Sequence, residues 1–409
     1  MAKIRYGAAY WIDRFPSSHR PSYPRHRGRI DVDVAIVGGG LIGCVAAQVF
    51  AAAGIDVALF ESSRIAQGGT MADDGLLLHE PGPDIQDLLT LYGLRSAKQI
   101  AHASRHASLD FVAALRRLHI VCGLQAGDAM SFAPAQQDGT RVRRELAARR
   151  EAGLESGFLT RSQLLKEAAL AGCGVRSRNQ AAIDPYRACL GFARAAAGRG
   201  ARIFERSQVV RIRPGRRRVE ITTGSGSATA STIVIATGHP TGEFKPLRRH
   251  FKPHHSYAVL TPPLPAGLRR AFGPPTVLLR EMASPSHRLR WVGGERVLFA
   301  GADQPLVPDR GRAKAIVQRT GQLMYELSVL YPAISGVVPA YGWDMACART
   351  VDGLPYFGPH RNYPRHLFAF GSGPGGLSLS YLAARIMLRQ YRGEPDKGDE
   401  LFAFTRTKG

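Results

Sequence analysis

The chain has 409 residues, of which 44% are hydrophobic and 21% charged, and its formal net charge is +23 at pH 7. This composition is that of an ordinary globular protein, and it excludes a disordered chain, a collagen-like chain and a disulfide scaffold. The length exceeds what one hydrophobic core usually serves, so two sequential or interleaved domains are expected.

The chain begins with a segment rich in Pro, Ser, Arg and His, and we interpret residues 1–30 as an irregular arm. The next segment, 34–55, has no charged residue and resembles a membrane span. Three adjacent glycines at 38–40 fit the centre of such a helix poorly. The flanking residues instead predict a strand at 32–37, a helix at about 41–53, a strand at 56–60 and a Gly-rich turn at 67–75.

The segment from 84 to about 118 has the apolar spacing of two amphipathic helices, broken near Gly93. A Thr-x-x-Gln capping box at Thr160 predicts a short helix, and Asp184-Pro185 predicts a longer helix to about Gly198. Predicted strands follow at 201–205, 208–212, 218–223 and 232–236.

Prolines become frequent between 245 and 340, and strand-like runs lie at 256–261, 276–281, 287–292 and 296–300, which predicts a second domain made mainly of sheet. The last part predicts a loop at 349–359, a strand at 367–371, a glycine cluster at 371–376 and a final helix at 377–391.

The first of these elements carries a Gly-x-Gly-x-x-Gly motif. Gly38, Gly40 and Gly43 lie between an apolar strand and a helix, and Glu61 ends the next strand about 20 residues on. In such a unit the glycines permit a tight turn, close approach to a pyrophosphate and close packing of helix on strand, while the acidic residue accepts ribose hydroxyls. The pattern predicts a dinucleotide site, and Glu61 disfavours the 2′-phosphate of NADP.

Two later segments bear on the choice between FAD and NAD. The strand TIVIATG at 232–238 ends in small residues that permit close approach of a nucleotide, and the glycines at 371–376 open a helix whose amino terminus suits negative charge. Each segment alone also fits an ordinary turn.

The segments together resemble a known family, the FAD-dependent D-amino-acid oxidase and glycine oxidase superfamily. The resemblance lies in DVDVAIVGGGLIG at 31–43, FES at 60–62, the helical segment 183–205, TIVIATG, and RTVDGLPYFGP with FAFGSGPGGLSLS at 349–380. Within the superfamily, AYWIDRFP at 9–16 and GWDMACART at 342–350 are similar to gamma-glutamylputrescine oxidase-like enzymes.

This resemblance implies an α/β fold, α+β overall, in which a Rossmann-type FAD-binding domain is interleaved with a mainly antiparallel β-sheet substrate domain. We expect the FAD-binding domain at 31–83, 150–244 and 341–409, and the substrate domain at 84–149 and 245–340. The expected activity is oxidation of an amine or amino acid by hydride transfer to flavin N5, followed by hydrolysis of the imine, with O2 or another electron acceptor.

The resemblance also implies a set of FAD-binding residues. They are Gly38, Gly40, Leu41, Ile42, Gly43, Glu61, Ser62, Arg64, Gly69, Thr70, Val209, Ala236, Thr237, Gly238, Gly373, Gly375, Gly376 and Leu377. The chain departs from the family pattern at 68–75, at Trp343-Asp344 and at 373–376, so the contacts to the flavin ring are less well defined than those to the ADP half.

Candidate substrate contacts are Tyr257, Arg288, Arg290 and Arg349, because an arginine fork suits a carboxylate. Exposed strand arginines in an arginine-rich chain are the alternative interpretation. Cys347 lies two residues out of register with the position of a flavin-linking cysteine in some relatives, so non-covalent FAD is expected.

The cysteines, the histidines and the amino terminus bear on metal binding and on location in the cell. The five cysteines show no metal-ligand spacing and His254-His255 lacks a third ligand, so no metal is expected and the histidines are interpreted as loop residues. The amino terminus lacks the apolar core of a signal peptide, and a cytoplasmic protein without a transmembrane segment is expected.

The high positive charge is the reason to consider nucleic-acid binding as an alternative function. Of the 55 basic residues 8 are lysines, which leaves 47 arginines, and their clusters at 141–144, 149–150 and 216–218 contain no aromatic residues. Proteins that bind single strands stack bases on aromatic side chains, so a solvated basic surface is favoured over a nucleic-acid site. A flavin dehydrogenase of a 2-hydroxy acid or amine with a quinone or protein acceptor, and a catalytically weakened flavoprotein that binds nucleic acid or a partner, remain the alternatives.

Overall fold

The computed structural model describes residues 3–134, 139–283, 286–373 and 376–406. Within these ranges the helices are α1 Tyr10–Asp13, α2 Leu41–Ala52, α3 Ile85–Arg117, α4 Thr140–Glu151, α5 Arg161–Ala168, α6 Pro185–Ala197, α7 Ala266–Arg270, α8 Asp309–Leu330 and α9 Leu379–Arg392. No helix of the described part is long and apolar enough to cross a membrane, and the apolar segment 34–55 divides into strand and helix as predicted.

The strands of the same ranges are β1 Arg5–Tyr6, β2 Gly28–Val37, β3 Val57–Phe60, β4 Leu76–Leu77, β5 Gln125–Pro134, β6 Ser156–Leu159, β7 Gly172–Ala182, β8 Arg202–Phe204, β9 Val209–Pro214, β10 Val219–Thr223, β11 Gly226–Gly238, β12 Phe251–Leu260, β13 Leu278–Glu281, β14 Arg288–Val292, β15 Arg296–Pro305, β16 Tyr341–Thr350, β17 Tyr356–His360 and β18 Tyr363–Phe370.

The first sheet has eight strands in the described residues and is parallel at its centre. Its order is β17-β18-β11-β2-β3-β8, and β9 and β10 extend it from β11 as an antiparallel meander. The central strand β2 carries the fully buried run Val34, Ala35 and Ile36, which is the pattern of a strand covered on both faces. Helix α2 packs between this sheet and helices α6 and α9.

The second sheet has ten strands in the described residues, ordered β1-β16-β12-β15-β14-β13-β5-β7-β4, with β6 beside β7. All its pairs are antiparallel except β1 with β16 and β13 with β5. Helix α8 packs on one face, against β12, β15 and β16. The turn Gly69–Ala72, which follows β3 of the first sheet, packs against β16 of this sheet. The predicted fold class is therefore confirmed.

Local signals explain several helix boundaries. The capping box between Thr160 and Gln163 forms as predicted, and the Asp184 carboxylate accepts the Arg187 N–H at 3.0 Å to cap α6. Helix α3 is interrupted at Gly93, which has φ +73°, a conformation that costs glycine little. The predicted break near Gly93 is therefore confirmed.

The chain crosses between the sheets more often than the sequence indicates. Strands β4, β6, β7 and β16 lie in segments expected for the FAD-binding domain, yet they pair within the ten-stranded sheet. Strand β7 joins it by pairing with β5, a contact between distant segments that local patterns do not encode. Helix α8 was also missed: the region 245–340 was predicted to be mainly sheet, yet it contains this 22-residue helix.

The amino-terminal arm is ordered rather than irregular. Strand β1 pairs in parallel with β16, and α1 places Trp11 at 4% exposure in the core. This arm therefore belongs to the body of the molecule.

Candidate functional site

The glycine motif lies where β2 turns into α2, and two of its positions have no room for a side chain. Gly38 has φ +110°, and a Cβ there would lie 2.5 Å from the Ala236 carbonyl oxygen of β11. A Cβ on Gly43 would lie 1.9 Å from the carbonyl oxygen of Gly38. The helix therefore begins close to the sheet, with its amino terminus open toward the carboxyl ends of the strands.

The amino terminus of α2 is fixed by side chains from neighbouring segments. The first N–H groups of a helix have no partner within the helix. Here the Gly39 N–H donates to Glu61 Oε2 at 2.7 Å, and the Leu41 N–H donates to the Thr70 hydroxyl at 2.9 Å. Gly40 is the N-cap residue and Ile42 lies in the first turn. These contacts hold the helix end in the orientation that favours a phosphate.

Glu61, at the end of β3, is oriented from both sides. Its second oxygen, Oε1, accepts the Ser63 N–H at 2.7 Å and the Ser62 hydroxyl at 3.1 Å. Arg64 follows in the same turn and is half-buried. A carboxylate with this orientation retains acceptor capacity for ribose hydroxyls.

The strand end at 236–238 meets the glycine cluster near the carboxyl terminus. Ala236 is buried against Gly38, the Thr237 hydroxyl donates to the His239 carbonyl at 2.8 Å, and the Gly371 N–H donates to the Gly238 carbonyl at 3.2 Å. Val209 begins β9 and is half-buried.

The glycine cluster itself turns onto strand β4. Gly373 has φ +59°, Gly376 bridges to Leu77, and Leu377 is buried directly before α9. Gly375 lies outside the described residues.

Residues 69–75, which we call the clamped loop, are held by side chains from three distant segments. The Trp343 indole N–H donates to the Ala72 carbonyl at 2.9 Å, and that of Trp11 donates to the Asp73 carbonyl at 2.8 Å. Arg290 Nη1 lies within 3.2 Å of the carbonyls of Asp74, Gly75 and Ile183. No local sequence pattern indicates this arrangement, since the donors lie far from the loop in the chain.

The clamped loop lies over one face of the ten-stranded sheet. Gly69 approaches Met345 of β16, with a Cβ on Gly69 only 3.8 Å from the Met345 sulfur. A cavity with about 220 Å³ of empty space, its opening to solvent included, lies between the loop and the sheet. Its lining includes Ala72, Asp74, Ser256, Arg288, Trp343 and Met345.

The arginines expected to form a carboxylate fork already have partners. Arg288 pairs with the buried carboxylate of Asp74, and Arg349 pairs with Asp303 at 2.5 Å. Arg290 binds main-chain carbonyls only, and burial lowers its pKa to about 10. The expected open fork is therefore not what the structure shows, because acidic and carbonyl groups from segments distant in the chain engage each guanidinium.

Tyr257 also differs from the expectation. It borders the cavity, but its ring packs in the apolar cluster on the α8 side of the sheet. Its hydroxyl accepts a hydrogen bond from Gln304 at 2.5 Å. A strand alternates its side chains between the two faces, and Tyr257 has the parity of the α8 face.

Sequence reasoning missed three acidic or basic residues near the cavity. Asp73 is buried, and burial together with the neighbouring Asp74 raises its pKa well above the ordinary value. His254 was interpreted as a loop residue, yet it is a buried residue of strand β12. Asp303 is 7% exposed and lies 3.9 Å from His254. Among the described residues no group of three or more His, Cys, Asp or Glu could hold a metal ion.

A family model described as FAD dependent oxidoreductase, DAO, matches residues 33–390. The chain belongs to this family. It is therefore an oxidoreductase, and FAD is the cofactor of the family. The match spans the glycine motif, most of both sheets and all but the last two residues of helix α9.

Curated relatives match over most of their length. The gamma-glutamylputrescine oxidoreductase of Escherichia coli K12 is 24% identical over 375 residues, covering 90% of this chain and 86% of that protein. The glycine oxidase of Bacillus licheniformis is 26% identical over 385 residues, covering 91% and 96%.

Solved structures show the same fold. The glycine oxidase of Geobacillus kaustophilus superposes with a TM-score of 0.75 at 21% identity, covering 93% of this chain and all of that one. An L-amino acid deaminase of Proteus vulgaris superposes with a TM-score of 0.76 at 14% identity, covering 95% and 100%.

The residues present fit the ADP half of FAD. The turn at Gly38 and Gly43 would be filled by any side chain, Thr70 holds the amino terminus of α2, and the Glu61 carboxylate is already oriented beside it. These observations concern the protein alone and are independent of the sequence resemblance.

Proposed function

We propose that the protein oxidises an amine or amino acid at the carbon that carries the nitrogen. Bound FAD would supply the two-electron chemistry, accepting a hydride from that carbon at N5. The substrate would leave as an imine, which water hydrolyses to a carbonyl compound and ammonia or a smaller amine. With O2 as acceptor, the two electrons and two protons yield H2O2.

The observation that carries this proposal is the position of the cavity. It lies between the clamped loop, which follows the nucleotide-binding unit, and the ten-stranded sheet. A substrate there would be held between the sheet face and the cofactor, which is the arrangement that orients a carbon against a flavin. The names of the curated relatives, an oxidoreductase of gamma-glutamylputrescine and a glycine oxidase, support the same substrate class.

The chain contributes placement and exclusion of water. Trp343 and Met345 form the apolar wall of the cavity, while Asp74 and Arg288 form a buried ion pair at its polar end. The clamp on Ala72, Asp73, Asp74 and Gly75 keeps the opposite wall fixed, so little ordering remains to be done when substrate binds. The FAD-binding residues named above, from Gly38 to Leu377, are part of this proposal, as is a cytoplasmic location, which the five free cysteines support.

The test is the visible absorbance of purified protein, followed anaerobically while single amines, amino acids and 2-hydroxy acids are added. We expect flavin bands that an amine or an amino acid bleaches within the mixing time. Readmission of air should restore the bands and yield one H2O2 per substrate. Bleaching by hydroxy acids alone, or a protein that neither carries nor takes up FAD, would refute the proposal. If the reduced flavin is reoxidised slowly in air and rapidly by a quinone, the quinone rather than O2 is the acceptor.

A further inference from the structure

His254 and Asp303 form a buried pair with unused hydrogen-bonding capacity. The side chains of His254 and Asp303 are 9% and 7% exposed, and the His254 Nε2 lies 3.9 Å from Asp303 Oδ2. Asp303 Oδ1 makes no hydrogen bond, and neither ring nitrogen of His254 has a partner at full hydrogen-bond geometry, although the Lys252 backbone lies close enough to raise the pKa of His254. Buried polar groups are nearly always hydrogen-bonded, because leaving one unpaired costs about 1–3 kcal/mol. The pair is therefore suited to a ligand that supplies the missing donor.

The register of the sheet places this pair on the face that borders the cavity. His254 lies directly opposite Cys347, and Ser256 lies directly opposite Met345. Alternate residues of a strand share a face, and residues opposite one another in an antiparallel pair point the same way. Ser256 and Met345 line the cavity, so His254 and Cys347 lie on the same face of the sheet, two residues farther along the same two strands.

Burial keeps His254 neutral by lowering its pKa. The Arg349 charge and His255 act in the same direction, while Asp303 and the Lys252 backbone oppose them. Cys347, opposite His254, stays a neutral thiol because burial raises its pKa, as do Asp303 and Asp73. A neutral imidazole beside a carboxylate can accept a proton and then be stabilised as a cation.

The arginines near the pair already have acceptors. Arg288 and Arg349 are paired with Asp74 and Asp303, and Arg290 is occupied by carbonyl oxygens. A carboxylate placed here would have to displace an acceptor that an arginine already has, whereas a cationic amine would find Asp303 Oδ1, which has no donor while Oδ2 is paired with Arg349.

We propose that His254 and Asp303 form the amine subsite of the cavity and that the substrate is a cationic amine with no required α-carboxylate. This assignment rests on the proposed function. The substrate ammonium has no lone pair, so a hydride cannot leave its carbon until one N–H bond breaks. The proton goes to the imidazole of His254, the electron pair of that bond stays on the substrate nitrogen, and the new imidazolium faces the Asp303 carboxylate.

The first test compares the pH dependence of anaerobic flavin reduction in the wild type, His254→Gln and a control. His255→Gln is the control, because His255 is equally buried in the same strand but points to the opposite face, where it accepts the Val307 N–H. We expect His254→Gln to be reduced at least tenfold more slowly at pH 7. Its rate should recover toward pH 10, where the free amine becomes abundant, since alkylamines titrate near ~10.4. A profile parallel to the wild type would overturn the proposal.

The second test needs no turnover. tert-Butylamine has no hydrogen on the carbon beside nitrogen and cannot be oxidised to an imine, and pivalate has the same shape with a carboxylate. Calorimetric titration of the holoenzyme should detect tert-butylamine and not pivalate, and Asp303→Asn should weaken the amine at least tenfold. Because the wild type alone discriminates the two probes, poor folding of a variant does not affect the result. Tighter binding of pivalate would overturn the proposal.

These results separate the subsite from the function. If no amine or amino acid bleaches the flavin, the proposed function fails. If the wild type is bleached only by compounds with an α-carboxylate, the subsite assignment fails and the oxidation stands.

Discussion

Gly43 shows how a single residue governs whether the nucleotide can be held. A Cβ at this position would lie 1.9 Å from the Gly38 carbonyl oxygen, and that oxygen belongs to backbone that cannot move aside without opening the turn. A methyl group would therefore push α2 away from β2, and the phosphate-binding end of the helix would move with it.

We expect Gly43→Ala to lose most bound FAD and to lower the free energy of unfolding by roughly 1–3 kcal/mol, the usual cost of overpacking. The measurements are the flavin-to-protein absorbance ratio after incubation with excess FAD, and urea unfolding. The control is Gly321→Ala in α8, where nothing lies within 4 Å of the added Cβ. It should raise stability by about 0.4–1 kcal/mol with FAD unchanged. Full FAD content in Gly43→Ala would contradict this account.

Residues that act within one local unit could be predicted from the sequence, and those that act across the chain could not. Gly38, Gly43 and Glu61 are set by one strand-helix-strand unit, and their contacts form between neighbouring elements. The pairing of Arg288 with Asp74 joins positions 214 residues apart. No pattern around Arg288 distinguishes it from an exposed strand arginine, and for His254 a run of two histidines carried no indication of its depth.

At the scale of elements, His287 connects the sheet to the helix that covers it. Its Nδ1 lies 2.5 Å from the Glu281 carboxylate at the end of β13, and its Nε2 lies 2.9 Å from Glu326 of α8. Burial alone would lower its pKa, but hydrogen bonds to the two carboxylates raise it to about 9.

The raised pKa predicts that stability falls as pH rises. The folded-state pKa lies above the unfolded value of about 6.5, so the contribution is complete below pH 6.5 and is lost as the pH passes through 9. The difference of about 2.5 pKa units corresponds to on the order of 3 kcal/mol. Urea unfolding from pH 6 to 9.5 should show this decline, and His287→Gln should remove it. An unchanged slope in the variant would contradict the assignment.

An element could be predicted when residues that start or end it are recognisable in the sequence. Helix α6 begins with a cap and a proline and was found, whereas α8 follows a proline-rich stretch, begins at Asp309 without a side-chain cap hydrogen bond, and was not. Strands β5 and β7 pair with each other although α4, β6 and α5 lie between them in the chain. Neither strand alone shows a clear alternation of apolar and polar residues.

At the scale of the whole molecule, successive segments of the chain contribute strands to the two sheets in alternation. The fold class could be predicted from the order of recognisable segments. Which sheet each strand joins could not be predicted, because β4, β7 and β16 become part of the ten-stranded sheet only through pairing with distant strands. The glycine motif belongs to the first sheet and the cavity borders the second, so the site depends on both.

The surroundings of Cys347 determine whether its thiol can bond covalently to FAD. Burial and the nearby Asp303 and Asp73 carboxylates raise the pKa of the Cys347 thiol, and the thiol rather than the reactive thiolate is therefore present. We expect acid precipitation to release nearly all flavin into the supernatant, where its absorbance measures it. Flavin fluorescence that remains on the denatured protein in a gel would show a covalent link and contradict this prediction.

The clamp on residues 72–75 also imposes an order of events during synthesis. One of its donors, Trp11, is made before the loop, whereas Arg290 and Trp343 are made more than two hundred residues after it. A nascent chain on the ribosome thus carries the complete glycine turn long before it can close the opposite wall. Cofactor captured early would be held by its nucleotide half alone, and the chamber for chemistry would form only as the last quarter of the chain emerges.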